Sequence, residues 1–541
     1  MTDSDSLQVR SAPLGGSALS LAIQDRGVPP GWDVLAPAGV AAWRAHVSRV
    51  REANDGVSQE APNGVPHGAS HGAWLDALHG AFGTNAHSVA RARLAEAARN
   101  GVVVTTGQQP GLFGGPAYTN TKALSALALA DELSAQLRIP VAPVFWAATD
   151  DADWHEAAVT HVVGPEGLER LQLVGPATDG VAMADVPLGD VSRLRAVLRA
   201  ACGSLADPMV LDVVDAAYTD GATIGSAYVT WLRTMLEPLG ISVLDASHPS
   251  VRAASHSVLC RALQYAPEID AALRARQDEI TSAGFSPQVE QVDGLSLVFE
   301  TIDGVRARVP LANAAARAAL ASIGSFGANV LLRPVLERAL MPTAAYVAGP
   351  GELAYFAQST AVAQAAMFDV PIAVPRWSAQ WREPFVTRLL ERLGVSAEDL
   401  QSPHVVEARL ARAAMDRNVA DAIDRLRVTL DAQISALGNA VSADASLVSQ
   451  PVVDGLSRDV GHRVTRVERR LIAAVKRRER DTARDIAVLR AALYPLGASP
   501  ERVLSLVPLL ARYGMSALTA MRELATVHAR AIVAGSTSSS E

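Results

Sequence analysis

The chain has 541 residues, 49% of them hydrophobic and 19% charged, with a formal net charge of −8 and two cysteines. At about 150 residues per domain there is room for two to four domains with large cores, which excludes a disordered or fibrous chain. The acidic balance excludes a chain-wide affinity for nucleic acid or anionic membrane, because both need a basic face.

Cys202 and Cys260 sit in apolar helical settings with no Cys or His at metal-ligand spacing, so they read as buried, inert thiols in a reducing compartment. MTDSDSLQVR lacks a basic stretch followed by an apolar core, and the expected location is the cytoplasm. No apolar run reaches the roughly 18 to 20 residues of a membrane helix, since Asp131 stops the longest candidate.

Residues 1–30 are polar and read as a surface arm. Trp32 to Arg51 has helical spacing (Val40, Trp43, Val47, Val50), and NDGVSQEAPNGVPHGASHG then breaks all periodicity as a loop. His67, His71, His79 and His87 lack a nearby carboxylate and read as solvated. Helix resumes over Trp74 to Asn100 and stops at Arg99-Asn100-Gly101.

Val102 to Thr106 is a β-branched run, Asn120 to Leu137 a helix with one stripe read as apolar (Leu124, Leu127, Ala130, Asp131, Leu133), and VAPVFWAA the next strand. Further strand candidates are Ile241–Asp245, Ala344–Ala348 and Ile372–Val374. Strands apolar at every position and separated by helices predict an α/β fold, a doubly wound parallel sheet covered on both faces. His161 to Pro187 and Leu295 to Val309, the latter with an Asp303-Gly304 turn, read as β-rich insertions.

From His404 the chain turns charged and helical. Val419, Ile423, Leu426, Leu430, Ile434, Leu437 and Val441 recur at spacings of three and four, as do Leu456, Val460, Val464, Val467, Leu471 and Val475 after a break at SADASLVSQPVVDG. These near-heptads predict an antiparallel hairpin. A helix of nearly forty residues would be about 55 to 60 Å long and would project beyond a body with a radius of gyration of about 21 Å, so a homodimer through the coiled coil is expected. Lys476-Arg477-Arg478, interleaved with acids, reads as a solvated face and not a nucleic-acid site.

Three stretches can carry chemistry. In TGQQPGLFGGPAYT, between strand and helix, backbone amides could hold an anion, and Gln108, Gln109, Tyr118, Thr119 and Asn120 offer hydrogen bonds around Gly107, Gly111, Gly114 and Gly115. The letters match no common phosphate loop, and a plain strand-to-helix turn is an equal reading. Thr149-Asp150-Asp151-Ala152-Asp153-Trp154-His155-Glu156 crowds carboxylates at the carboxyl edge of the sheet, which raises at least one pKa unless Mg²⁺ or a substrate ammonium sits among them. Helix capping explains Asp153 and Glu156 but not Asp150 with Asp151. The third is AAYVAGPGELAYF, where Glu352 falls in a helix's first turn and capping could account for it. Arg333 and Arg376 lie near element ends, suited to a carboxylate or phosphate or equally to a salt bridge.

TGQQPGLFGGPAYTNTKA, VFWAATDDADWHE, LLRPVLERALMPTAAYVAGPGELAYFAQ and LYPLGASPERVLSLVPLLARYG, in that order over most of the chain, resemble the bacillithiol biosynthesis cysteine-adding enzyme family, a group of cysteine ligases. The resemblance implies a Rossmann-like core with connecting-peptide insertions, a C-terminal α-helical coiled-coil dimerisation arm, and addition of cysteine to glucosaminyl malate in the last step of bacillithiol synthesis. One departure stands out: the family commonly reads serine, glutamate, aspartate, histidine, aspartate where this chain has Thr149 to Asp153, so its imidazole is missing at Ala152. HIGH-like and KMSKS-like signatures are also absent.

The expected partition is 1–100 as N-terminal arm and helices, 101–400 as core with insertions near 161–190 and 285–310, 401–494 as antiparallel coiled coil, and 495–541 as helical segment and disordered tail. The expected activity is carbon–nitrogen bond formation by a ligase. A carboxylate is a poor acyl donor, so chemical logic calls for ATP and Mg²⁺, with no metal ligands assigned. Asp150, Asp151, Asp153 and His155 are the expected catalytic set. The expected substrate-binding set is Gln108, Gln109, Gly111, Gly114, Gly115, Tyr118, Asn120, Lys122, Trp146, Arg333, Gly349, Gly351, Glu352 and Tyr355. The alternatives are another ATP-dependent amino-acid ligase or nucleotidyltransferase, and a non-enzymatic coiled-coil dimer that binds a sugar or nucleotide.

Overall fold

The structure, a computed structural model, describes residues 6–32, 36–56, 72–83, 88–175, 180–204, 206–320, 322–402, 404–442 and 449–536. His67, His71, His87, the middle of the SADASLVSQ break and the last five residues lie outside them. The chain forms two compact units, one comprising Leu7–Val162, Arg170–Trp381 and Glu501–Glu541, the other centred on Arg382–Pro500.

The larger unit is built on five parallel strands. They are β1 (Val102–Gln108), β2 (Val141–Ala147), β3 (Ser242–Asp245), β4 (Thr343–Ala348) and β5 (Ala373–Pro375), in the order β5-β4-β1-β2-β3. All seven residues of β2 are buried, as continuous apolar strands require when helices cover both faces. The chain runs outward from β1 through β2 to β3, then returns to the other side of β1 for β4 and β5. The strand order therefore reverses between β1 and β4, the switch point where such sheets open a crevice beyond their carboxyl ends.

Helix α1 (Tyr118–Leu137) joins β1 to β2 and begins two residues earlier than expected. It is buried nearly all round, not along one stripe, because the sheet lies on one side and the helix Met515–Ala534 packs on another. Leu124, Leu127, Leu129 and Leu133 are each at most 1% exposed, worth about 1.5 to 3 kcal/mol apiece. Asp131, which breaks the apolar run, meets Arg93 at 2.7 Å and Arg522 at 2.9 Å. Helix α2 (Ile224–Leu236) precedes β3, α3 (Arg333–Leu340) precedes β4, and α4 (Pro350–Ala365) follows it.

The Leu295–Ile302 and Val305–Pro310 strands pair antiparallel, with Phe326–Ala328 as a third strand. Their turn has φ of +52° at Asp303 and +80° at Gly304, the left-handed pair that suits a two-residue hairpin. The other insertion contains strands Val159–Gly164 and Gly167–Gln172. The N-terminal arm is anchored, contrary to the surface reading: Gln8–Ser11 is a strand, Ala12 N–H donates to Ser378 O at 2.9 Å, and Leu19 and Ile23 of the helix Ala18–Gln24 are buried. Helix expected from Trp32 starts at Val40, and the Trp74–Asn100 segment is two helices, Ala73–Leu78 and Val89–Asn100. Cys202 is buried and Cys260 half-buried, both free.

In the second unit the hairpin helices are α5 (Arg417–Ser442, 26 residues) and α6 (Gln450–Arg478, 29 residues). Both are shorter than the forty residues expected: Asp416 caps the N–H of Asn418 at 2.8 Å and starts α5 afresh after Val405–Ala413, and α6 ends at Arg478 before a separate helix, Arg480–Leu493. Gly438 packs on Val453, and Arg427 reaches Glu468 at 2.6 Å, so the pair is antiparallel. The near-heptad seam is only partly covered by this pairing: Val419, Leu426, Leu437, Leu456 and Val467 are all more than a third exposed. Among the described residues no helix is long and apolar enough to cross a membrane.

Candidate active site

A cleft of about 370 Å³ opens at the switch point. The end of β1 supplies Gly107 and Gln108 and the loop after it Gln109, α1 supplies Tyr118 and Lys122, β2 supplies Trp146, α3 supplies Arg333 and Glu337, and Tyr346, Gly349, Gly351, Glu352 and Tyr355 come from β4 and α4 or the turn between them. Of the fourteen residues expected to bind substrate, the cleft gathers all but Gly111, Gly114, Gly115 and Asn120.

Those three glycines shape the loop from behind. Gly114 has φ +84°, and a Cβ there would stand 2.4 Å from Trp231 Nε1. A Cβ on Gly111 would stand 2.6 Å from Gly115 Cα. Buried Tyr218 fastens the turn: its hydroxyl accepts from Gly114 N–H at 2.7 Å and donates to Gly111 O at 3.4 Å. Asn120 is buried in α1.

Lys122 and Glu352 form the scaffold of the cleft. The Lys122 ammonium donates to Gly107 O at 2.8 Å and Gln108 Oε1 at 2.9 Å and pairs with Glu352 Oε2 at 2.7 Å, which occupies its three hydrogens. Burial lowers the Lys122 pKa against the opposing pull of Glu352. Glu352 also accepts from Tyr346 OH at 2.7 Å and from Gly349 N–H at 2.6 Å, the second being the capping bond of α4. Lys122 thus ties the first loop to the start of α4.

The aspartates after β2 find their cations in arginines. Asp151 meets Arg333 Nη2 at 3.2 Å, and Asp150 lies 3.8 Å from Arg306 Nη2, while Arg306 Nη1 donates to Asp150 O at 2.7 Å. Burial pushes the Asp151 carboxyl up, but Arg333 and Arg306 outweigh it and hold it below its usual range. The repulsion expected of adjacent carboxylates is therefore relieved by guanidinium groups. Among the described residues no three His, Cys, Asp or Glu side chains converge as a metal set. Asp153 caps the short helix Trp154–Ala157 through Glu156 N–H at 3.1 Å, and His155 is exposed. None of Asp150, Asp151, Asp153 and His155 lines the cleft, whereas Glu156 does. Glu156 accepts from Tyr118 OH at 3.1 Å, from Gln108 Nε2 at 3.4 Å and from Gln109.

The expected site sets leave out Glu337, Glu156 and Tyr346, which line the cleft, and Glu501 behind it, although Glu156 and Tyr346 fall in stretches marked for chemistry. Glu337 is 1% exposed, and neither of its oxygens has a hydrogen-bond partner. Burial lifts its carboxyl to about 8, with Arg333 the main opposing influence. In the sequence it is the lone acid of RPVLERAL, inside one of the motifs that carry the resemblance but with no glycine or second acid beside it. Glu501 grips Arg376 with both oxygens, at 2.7 and 3.0 Å, and accepts from Ser378 Oγ at 2.7 Å. Arg376 Nε, at the cleft, remains buried without a partner.

Residues 74–377 match the family profile described as "Bacillithiol biosynthesis BshC, N-terminal Rossmann-like domain", and residues 379–531 match its "C-terminal coiled-coil domain". Proteins named "Putative cysteine ligase BshC" align along most of the chain. That of Solibacter usitatus is 31% identical over 450 residues, 80% of this chain and 83% of the relative. Those of Koribacter versatilis and Symbiobacterium thermophilum are each 30% identical, over 79% and 80% of this chain and 82% and 83% of theirs. With a switch-point cleft built from the motifs that carry the likeness, and a partnered helical hairpin behind them in the sequence, this chain belongs to the BshC family of bacillithiol biosynthesis.

Proposed function

We propose that the chain is a ligase that joins the carboxyl of cysteine to the amino group of glucosaminyl malate, forming the amide bond of bacillithiol. The observation that carries this reading is the cleft, which sets paired acids and cations around a polar space large enough for small molecules and is assembled from the family's own motifs. Anionic oxygens of the substrates would meet Arg333 and the unpaired Arg376 Nε, and sugar hydroxyls would meet Gln108, Gln109, Tyr118 and Tyr355. Gly349 and Gly351 leave the start of α4 open to them, and Trp146 forms an apolar wall.

ATP with Mg²⁺ would supply carboxyl activation. The aspartates after β2 do not fit as the metal's own cage, since Asp151 is committed to Arg333 and Asp150 to Arg306. The role we assign to Asp151 is to position Arg333 at the cleft wall. Asp153 holds the helix that brings Glu156 to the cleft, and His155 lies outside it. We also propose a homodimer through the uncovered apolar seam of α5 and α6, acting in the cytoplasm.

The test is coupling in vitro: purified protein, cysteine, glucosaminyl malate, ATP and Mg²⁺, with product followed by mass spectrometry. A thiol product heavier than the acceptor by one cysteinyl residue is expected. Folded protein that makes none above the no-enzyme control, across nucleotides and divalent metals, would sink the reading.

A further inference from the structure

We propose that Glu337 is the binding site for a primary ammonium group of a substrate. This deepens the ligase reading and rests on it. Glu337 sits in the second turn of α3, lines the cleft, and is buried with both carboxylate oxygens unpartnered. Thr105 on β1 faces it, close enough for its hydroxyl to favour the carboxylate slightly, but in a geometry that falls short of a formed hydrogen bond.

The charges around it are already matched. Lys122 is paired with Glu352, Arg333 with Asp151 and Arg376 with Glu501. The titratable groups that face Glu337 are Arg333 from its own helix, Lys122 from α1, Glu352 and Tyr355 from α4 and Tyr346 from β4. None of them donates a hydrogen bond to it. A buried carboxyl left this way is unfavourable unless a partner completes it, and an ammonium brings three N–H donors and the missing positive charge. The other cleft acid without a cation, Glu156, is satisfied by Gln108, Gln109 and Tyr118.

Without ligand, Glu337 holds its proton at neutral pH, because burial lifts it to about 8. Binding an ammonium then releases that proton: the neutral acid and R–NH₃⁺ give a carboxylate–ammonium pair and one H⁺ to solvent. Cysteine and the amino sugar both carry such a group, and comparison with matched compounds lacking it separates them. For cysteine the match is 3-mercaptopropionate; for glucosaminyl malate it is the N-acetyl form.

The experiment is calorimetric titration of the full chain and of Glu337→Gln at pH 7, in two buffers of different ionisation enthalpy, with circular dichroism confirming the fold. The wild type should bind one of the two amines about ten- to a hundredfold more tightly than its match, as a charge-assisted hydrogen bond of about 1.5 to 3 kcal/mol implies, and release protons as it does. Glu337→Gln keeps the shape and hydrogen-bonding groups of a neutral acid. It should lose both the preference and the proton release while binding the match as before.

Equal binding of amine and match by the wild type, no binding of either amine, no proton release, or a preference retained in Glu337→Gln would each overturn the inference. If the variant does not fold, wild-type proton release decides alone. Amine binding with proton release but no coupled product would sink the ligase reading and leave this site standing. Product formation with the preference intact in Glu337→Gln would do the reverse.

Discussion

Lys122 of α1 and Glu352 of α4 meet at 2.7 Å beneath the switch point, their side chains 4% and 16% exposed, and so clamp the two loops that frame the cleft. Removing one member of such a pair strands the other. Lys122→Met should lower stability by about 3 to 5 kcal/mol in urea unfolding, and Lys122→Met combined with Glu352→Leu should recover part of that loss. A single variant as stable as the wild type would show that the clamp contributes nothing.

Glu501 makes a second such clamp with Arg376, each side chain 2% exposed. Glu501→Gln keeps the shape but removes the charge, leaving the guanidinium buried without a counter-ion. We expect a loss of about 3 to 5 kcal/mol in the same measurement, together with weaker binding of anionic ligands, because the aim of Arg376 Nε depends on this grip.

Glu337 makes stability depend on pH with a definite sign. Its folded value is about 8 and its ordinary value 4.5. Between those values the unfolded chain has released the proton and the folded chain still holds it, so stability falls as pH rises, by up to about 1.4 kcal/mol per pH unit. Glu337→Gln should flatten the curve between about pH 5 and 8. Asp151 acts the other way: its folded value is depressed, so its contribution is present above the ordinary carboxylate range and is lost as pH falls through the folded value. Unfolding midpoints at pH 3, 5.5 and 7.5 for the wild type, Glu337→Gln and Asp151→Asn separate the two.

Gly114→Ala tests the loop. The substitution meets both a left-handed backbone and Trp231, with Cβ 2.4 Å from Nε1. The cost should be about 2 to 5 kcal/mol, a sum of the conformational and overpacking penalties.

The coiled-coil proposal predicts that Leu426→Glu combined with Leu456→Glu, both leucines being more than a third exposed in the single chain, converts a dimer to a monomer in light scattering while leaving the melting of the larger unit unchanged. A wild type that is monomeric at tens of micromolar would contradict the dimer.

Much of the sheet was legible because its strands are short, mostly apolar runs and its helices recur between them. The loop motifs pointed to the cleft because glycine and uncharged polar residues cluster where β1 and β4 end. What the sequence hid depends on distance in space. Asp150 and Asp151 suggested a cation, but Arg306 and Arg333, more than 150 residues away, supply it. Glu337 is silent because a lone acid in an amphipathic helix looks like a surface residue until its neighbours are known. The length of the first hairpin helix was overread because the helical texture that begins at His404 runs on through Asp416, where capping starts a new helix.

The central claim is ligation in this particular cleft, and Gly351 offers the most direct test. It lines the cleft at the first turn of α4, and a Cβ there would meet only Gln288 Nε2, at 3.8 Å, so a large side chain can enter the space without disturbing the backbone. With cysteine, glucosaminyl malate, ATP and Mg²⁺, the wild type should yield the cysteinyl product and Gly351→Trp, equally folded, should yield less than about a hundredth as much, the scale expected when a reacting group is displaced. Product from Gly351→Trp at the wild-type rate, or none from the wild type, would contradict the account.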